Sequence, residues 1–488
     1  MKYISTRGGI ESLSSAQAIK KGIANNGGLF VPDHIPLLTD SLFDRLAKMD
    51  YAERAAEILS LYLTDYDKAE LLCDCKKAYA NFDSENPAPT AKLGENKYML
   101  ELFHGPTCAF KDMALQIMPR LLSRALKMTG ERRTAYILVA TSGDTGKAAL
   151  EGYRDVEGVR IKVFYPVDGV SDIQKLQMST QEGSNVSVQA IEGNFDDAQN
   201  GVKRIFADKE FGDKLREQGY ILTSANSINW GRLAPQIVYY ISSYIDLYNA
   251  GEIKRGEQVC FCVPTGNFGN IFAGYLAARM GLPVKRFICA SNKNNILTDF
   301  FKTGVYDRNR EFYQTSSPSM DILISSNLER LLYFIAGREK TAAYMKQLSE
   351  TGRYEITADE LSEIQKLFVG GFTDEDGTLA EIYSTFKGIG KLIDTHTAVA
   401  YRQAEQYVHE TNDKVVTVST ASPFKFAASV LSALHKKVKG SRGVLSPLYE
   451  LADATETAIP APLASLEGIP VRFSGAIKKE DMPDSLLD

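Results

Sequence analysis

The stretch HGPTCAFKDMALQIM places one lysine, Lys111, between Phe110 and Asp112 at the head of an apolar, helix-like run. An ammonium group held against Phe110 and Met113 loses hydration, which disfavours its charged form. A neutral lysine amine is a nucleophile or a base, and a lysine that forms a Schiff base needs that state. A stem packed on the core with its head in solvent, or paired with Asp112, gives the same local pattern. The company that Lys111 keeps must therefore decide its role.

That company is a set of loops suited to anions. In PTGNFGN, residues Gly266, Asn267, Phe268, Gly269 and Asn270 follow an apolar strand and open a helix. Backbone amides and the helix dipole converge there with little side chain in the way, which makes a phosphate cradle. The loop lacks the Lys-Ser/Thr ending of a nucleotide P-loop and the glycine spacing of a dinucleotide fingerprint. TSGDTG stands in the same position after its own strand: Ser142, Thr145 and the amides of Gly143 and Gly146 can grip a carboxylate at a helix start. Asp144 in its middle would repel that carboxylate unless it points away or meets a cation. In NSINWGRLAPQ, Asn226, Ser227 and Arg232 can converge on a second phosphate; capping by Ser227 or Asn229 with Arg232 on a wet face is the plainer alternative. The two Cys-x-Cys pairs, Cys73/Cys75 and Cys260/Cys262, and five scattered histidines give no metal-ligand spacing, so no metal is expected.

From residue 93 onward the chain repeats one unit: a β-branched or aromatic run, a Gly/Ser/Asn/Thr loop and an amphipathic helix. TAYILVA, VRIKVFYP, NVSVQAIEG, YILTSANS, QVCFCV, VKRFICAS and KVVTVST read as strands. Strands alternating with helices of this length predict an α/β fold of two open, mostly parallel lobes with ligand beyond the carboxyl ends of the strands. The predicted division is an N-terminal domain over 1–92, a smaller lobe over 93–220 and a larger lobe over 221–488, with a less regular insertion or cap at about 300–395. The tail APLASLEGIPVRFSGAIKKEDMPDSLLD predicts a closing strand and a frayed acidic end. A balance of 56 Lys and Arg against 61 Asp and Glu, net −5, gives no basic field for nucleic acid. No apolar run nears the roughly 18 residues needed to span a bilayer, and the N-terminus has no signal-peptide core, so a cytoplasmic protein is expected.

Taken together, YISTRG, GIANNGGLFVP, HGPTCAFKD, ATSGDTG, NSINWGRLAPQ, VPTGNFGN, LPVKRFICASN, THTAVAYR and STASPFKF stand in an order that resembles the fold-type II pyridoxal-phosphate enzymes, and within them the threonine synthase family. The resemblance runs almost the full length. It implies a tryptophan synthase β-like fold and pyridoxal 5'-phosphate as cofactor, bonded to Lys111, with its phosphate at Gly266 to Asn270 and its ring nitrogen facing the Thr420 hydroxyl. A neutral partner there leaves that nitrogen unprotonated. It implies O-phospho-L-homoserine as substrate, threonine and phosphate as products, and the substrate phosphate at Asn226, Ser227 and Arg232. It leaves a monomer or a homodimer open. Where many members read Thr-Ala-His-Pro, this chain has Thr420, Ala421, Ser422 and Pro423, so any role of that histidine must be absent or supplied elsewhere. A serine/threonine dehydratase needs the same lysine and cradle without the second phosphate site, and a non-catalytic relative would bind a phosphorylated metabolite without turning it over.

Overall fold

Two parallel sheets carry the molecule, seen in a computed structural model that describes all residues except Ile10, Glu11, Ser142, Gly169, Ser441 and Asp488. The larger sheet has six strands in the order Phe368–Phe372, Val284–Ser291, Val259–Pro264, Val415–Ser419, Lys97–Glu101 and Thr90–Gly94; all are parallel except the last, which turns back as a hairpin. The smaller sheet orders Ala476–Lys478, Val186–Glu192, Val159–Pro166, Thr134–Ala140 and Tyr220–Thr223, all parallel. Strands such as Val259–Pro264 are buried at every residue, as expected of parallel strands covered by helices on both faces.

The sheets divide the chain differently from the ranges 93–220 and 221–488. Residues 97–101 pair with 415–419 in the larger sheet, while 220–223 and 476–478 belong to the smaller one. The region 300–395 is not a separate cap. Its strand Phe368–Phe372 extends the larger sheet, and its glycines fit close packing: a Cβ on Gly370 would lie 2.9 Å from the backbone Cα of Thr298, and one on Gly371 would displace the end of the Gln403 side chain, 2.1 Å away. FVGGF is a poor strand by composition because its small residues answer to packing, not to propensity. Up to Leu487 the tail is not frayed either. Met482 and Leu486 are buried against the helix Phe195–Ala207 and the smaller sheet, and Lys479 pairs with Asp197 at 2.9 Å.

The N-terminal residues form a short antiparallel pair, Tyr3–Ser5 with Phe30–Pro32, and four helices ending at Tyr79. They pack on the helices Trp230–Leu233 and Pro235–Asn249, which Pro235 separates. Trp230 is wholly buried between the rings of Tyr3 and Tyr62, and Arg54 meets Asp246 at 2.6 Å. The Trp230 contacts anchor the short helix that bears Arg232.

Candidate active site

Lys111 is positioned by two neighbouring strands. Lys97–Glu101 and Val415–Ser419 run side by side, and the loops leaving them remain stitched together: Phe110 N donates to Thr420 O at 2.8 Å, Ser422 N to Cys108 O at 3.0 Å, and Ala109 bridges Ala421. Thr420 and Lys111 are therefore neighbours by backbone register. Asp112 does not pair with Lys111. Its carboxylate turns back to accept from Thr107 N and Oγ1, both at 2.8 Å, and burial pushes its pKa up to about 6. Gly105 is small to admit that carboxylate, since a Cβ there would stand 2.5 Å from Asp112 Oδ2.

The Lys111 ammonium instead lies 3.5 Å from Asp144 Oδ2 and 3.3 Å from Ser319 Oγ, with 8% of the residue exposed. Burial lowers its pKa below the usual lysine range; Asp144 opposes that shift, while Arg232 and Lys425 add to it. Burial would raise the Asp144 pKa, yet the cations Lys425 and Lys111 hold it well below the usual carboxylate range. Ser319 sits in a loop fixed by Asp321, whose Oδ1 accepts from Asn292, Asn294 and Thr315, and by His396, whose Nε2 accepts from Ser319 N at 3.1 Å. With Nε2 accepting, the imidazole proton is on Nδ1, facing Asp394 Oδ2 at 2.7 Å.

The loop after Val259–Pro264 exposes its amides by pinning its carbonyls. Gly266 O accepts from Ser325 Oγ at 2.6 Å, and Asn267 O accepts from the backbone and side-chain nitrogens of Asn327, each at 3.0 Å. The amides of residues 266 to 270 donate to no described residue. Asn270 Oδ1 is taken by the hydroxyls of Tyr239 and Tyr240, while its buried Nδ2 has no partner among the described residues. Such a row of free donors with one orphaned amide fits a bound phosphate group. Phe268 enters the helix in the left-handed conformation, φ 63°, with its ring buried against Phe301 and Phe368.

TSGDTG behaves differently from the expectation for Gly143 and Gly146. Both amides donate inward to Thr141 Oγ1, at 3.0 and 2.9 Å, because the tight turn wraps around that hydroxyl. The outward donors are the amides of Asp144 and Thr145, which meet no described acceptor. Ser142 lies outside the described residues. Gly143 has φ 140°, and a Cβ there would press on Gln174 at 2.5 Å.

In the third loop Asn229, not Ser227, caps the following helix, with Oδ1 accepting from Gly231 N at 2.9 Å. Arg232 is not on a wet face. It is 6% exposed, donates to Ala225 O at 3.1 Å, and has no carboxylate within ion-pair distance among the described residues. Burial lowers its pKa to about 10. A buried guanidinium without a counter-ion is costly, and an anionic ligand would relieve it. Asn226 is exposed beside it, and Ser227 O accepts from Asn327 Nδ2 at 3.3 Å.

Sequence reasoning missed Ser319, Asn327, Arg330, His396, Gln174 and Lys425. Lys425 stands between Phe424 and Phe426 as Lys111 stands after Phe110, so the same local signal was present. The others come from stretches whose role exists only in three dimensions. No helix among the described residues is long and apolar enough to cross a membrane, and no described group of three His, Cys, Asp or Glu is placed to hold a metal.

Comparison with known proteins gives a consistent outcome. Residues 85–369 match the family model described as pyridoxal-phosphate dependent enzyme, flanked by models for the threonine synthase N terminus at 2–79 and C-terminal region at 397–481. The chain is 41% identical over 459 residues to threonine synthase-like 1 of Macaca fascicularis, covering 89% of this chain but 61% of that one, so it spans about three fifths of that relative's length. It is 39% identical over 473 residues to threonine synthase of Pseudomonas aeruginosa, covering 96% and 97%. The crystal structure of PLP-bound threonine synthase from Brucella melitensis superposes with a TM-score of 0.88 at 36% identity, over 100% of this chain and 98% of that one. The chain belongs to the threonine synthase family of pyridoxal-phosphate-dependent enzymes.

Proposed function

We propose that this chain is a threonine synthase, converting O-phospho-L-homoserine and water to L-threonine and phosphate. Pyridoxal 5'-phosphate, when bound, supplies the sink for electrons released at the substrate carbons. Lys111 would hold it through its amine, the amides of Gly266 to Asn270 with Asn270 Nδ2 would hold its phosphate, and the Thr420 hydroxyl would face its ring nitrogen. Arg232, Asn226 and Ser227 would take the substrate phosphate. Thr145 and the amides of Asp144 and Thr145 would take its carboxylate.

With its amine free, Lys111 would be the base for the protons at Cα and Cβ and would return protons at Cγ and Cα. The Cγ–O bond breaks with phosphate leaving toward Arg232, and water then adds at Cβ. Ser319, 3.3 Å from Lys111 Nζ, orients the amine, and its loop is fixed in turn by His396. His396 thus places a histidine one neighbour away from the lysine in a chain that has Ser422 where many relatives have His.

The observation that carries the reading is Arg232, buried with no counter-ion among the described residues and near enough to Lys111 to disfavour its charge. Product analysis tests it. Phosphohomoserine with added cofactor is expected to give threonine and phosphate in equal amounts; release of 2-oxobutanoate with no threonine would overturn the assignment in favour of a dehydratase-like lyase. Borohydride should fix the cofactor to Lys111, and protein that takes up no cofactor would point to a non-catalytic relative.

A further inference from the structure

The Asp144 carboxylate is bracketed by two lysines. Oδ1 accepts from Lys425 Nζ at 2.8 Å and from Gln174 Nε2 at 2.8 Å, while Oδ2 faces Lys111 Nζ at 3.5 Å. The Lys425 side chain has no exposed surface, and its remaining contact is Thr107 O at 2.9 Å. An anion and a cation both removed from water must keep each other, since losing either partner leaves a bare buried charge. Lys111 cannot be that lasting partner if its amine bonds to an aldehyde or takes protons, because it then spends part of each cycle uncharged.

We propose that Lys425 is the permanent counter-ion of Asp144, a positioning residue that keeps this carboxylate ionised and fixed and so leaves Lys111 free to shed its proton. The inference rests on the reading of Lys111 as the reactive amine. It also answers how an aspartate can sit in a loop meant for a substrate carboxylate: its charge is already matched from behind.

The groups that face this cluster are few. Lys111 is met by Asp144 from the helix Asp144–Tyr153, by Arg232 from Trp230–Leu233, by Lys425 from Pro423–Phe426 and by the neutral Ser319 hydroxyl. Asp112, next in chain, has turned its carboxylate to Thr107. Around Lys425 stand Cys108, Asp112 and the pair Lys147–Glu151, which meets at 3.1 Å and largely cancels. Near Lys111 the Asp144 carboxylate, the Ser319 hydroxyl and the Phe110 ring at 5.0 Å favour the ammonium, and among them only Asp144 carries a charge; burial, Arg232 and Lys425 oppose it. Removing Lys425 therefore commits Asp144 wholly to Lys111, and that amine must hold its proton to higher pH.

The test is trace acetylation of the full-length chain, purified free of cofactor, with acetic anhydride from about pH 6 to about pH 10. The Lys111 peptide is read by mass spectrometry against an exposed lysine as internal standard. Lys425→Met is expected to raise the Lys111 midpoint by about one pH unit, a tenfold change in proton affinity. Lys425→Arg should return it toward the wild-type value, and Lys425→Met with Asp144→Asn should bring it down again. A midpoint unmoved by Lys425→Met, with only a loss of thermal stability, would reduce Lys425 to a packing role and overturn the proposal. If Lys425→Met does not fold, Asp144→Asn alone must lower the midpoint, and a midpoint left in place overturns the proposal equally. Because the labelled protein carries no cofactor or substrate, a shifted midpoint beside a failed product assay would sink the substrate assignment alone.

Discussion

Between residues 266 and 270 the free donors are the backbone amides and Asn270 Nδ2, whereas between 226 and 232 the Arg232 guanidinium and the exposed Asn226 side chain stand beside the amides of Ser227, Ile228 and Trp230, which meet no described acceptor. The first loop is rigid by construction. Its carbonyls are pinned by Ser325 and Asn327, and Phe268 holds a left-handed backbone that costs roughly 1–2 kcal/mol, offset by burial of its ring. The second has one buried cation tethered to a single carbonyl, and a long side chain that can follow an anion as it departs. A group that stays through every cycle suits fixed amides; a group that must leave suits a side chain. On the proposed assignment the two loops would divide retention from release, although both follow a strand and precede a helix.

The sharpest way to break this contrast is Arg232→Ala. A lone buried cation facing an anionic group is worth about 2–5 kcal/mol when removed, so kcat/KM for phosphohomoserine should fall on the order of a thousandfold. The dissociation constant of the cofactor, followed by absorbance, should stay within about threefold. Equal losses in both measurements would erase the distinction between the loops.

Gly266→Ala should show the reverse pattern. The added Cβ would lie 2.7 Å from Ser319 O, a backbone atom that cannot step aside cheaply. Overpacking of this kind costs about 1–3 kcal/mol, so cofactor affinity should weaken about 10- to 100-fold with a smaller effect on substrate KM at saturating cofactor. Because Ser319 touches Lys111, borohydride trapping should also slow.

Much of this was legible from the sequence, and the reasons for the gaps are physical. TAYILVA and VKRFICAS occupy their strands residue for residue, because their largely apolar runs, β-branched and aromatic residues among them, declare a mostly buried parallel strand without help from other parts of the chain. The loops that end in helices were visible for the same local reason. FVGGF was not, since two of its residues are glycine to make room for Thr298 and Gln403, which lie far away in sequence. Lys425 shows a different limit: its local pattern matched that of Lys111, but the meaning of a buried lysine depends on which carboxylate it meets, and Asp144 is more than 250 residues away. Gly143 and Gly146 were correctly placed in a helix-opening turn, yet the direction of their amides was set by the hydroxyl of Thr141, a residue that reads as the end of the strand.

Asn327 joins the two loops and so makes the contrast quantitative. Its side-chain nitrogen donates to Asn267 O and Ser227 O, and its oxygen accepts from Arg330, which also reaches Ile228 O at 2.6 Å and Phe30 O at 3.0 Å. Arg330 is fully buried, and burial lowers its pKa to about 9. Asn327→Ala strips a partner from this guanidinium and from both loops, at about 1–3 kcal/mol for each buried group left unmatched. Thermal unfolding should show a loss of that order, and cofactor affinity and substrate KM should worsen together by about tenfold. A change in one without the other would mean that the loops are held independently.

Ser326→Ala marks the floor of the series. Its hydroxyl donates to Asn267 Oδ1 at 3.4 Å in an exposed setting, one residue from the strong contacts of Ser325 and Asn327. A long hydrogen bond between exposed groups is readily replaced by water, so stability should change by less than about 0.5 kcal/mol, and neither cofactor affinity nor KM should move measurably. The comparison with Asn327→Ala is then between adjacent residues on one segment, differing in burial and in which atom of the loop they hold. If Ser326→Ala weakens cofactor binding as much as Asn327→Ala does, the cradle is maintained by its side chains and not by its pinned carbonyls, and the account of a rigid backbone loop beside an adaptable side-chain loop fails at its first premise.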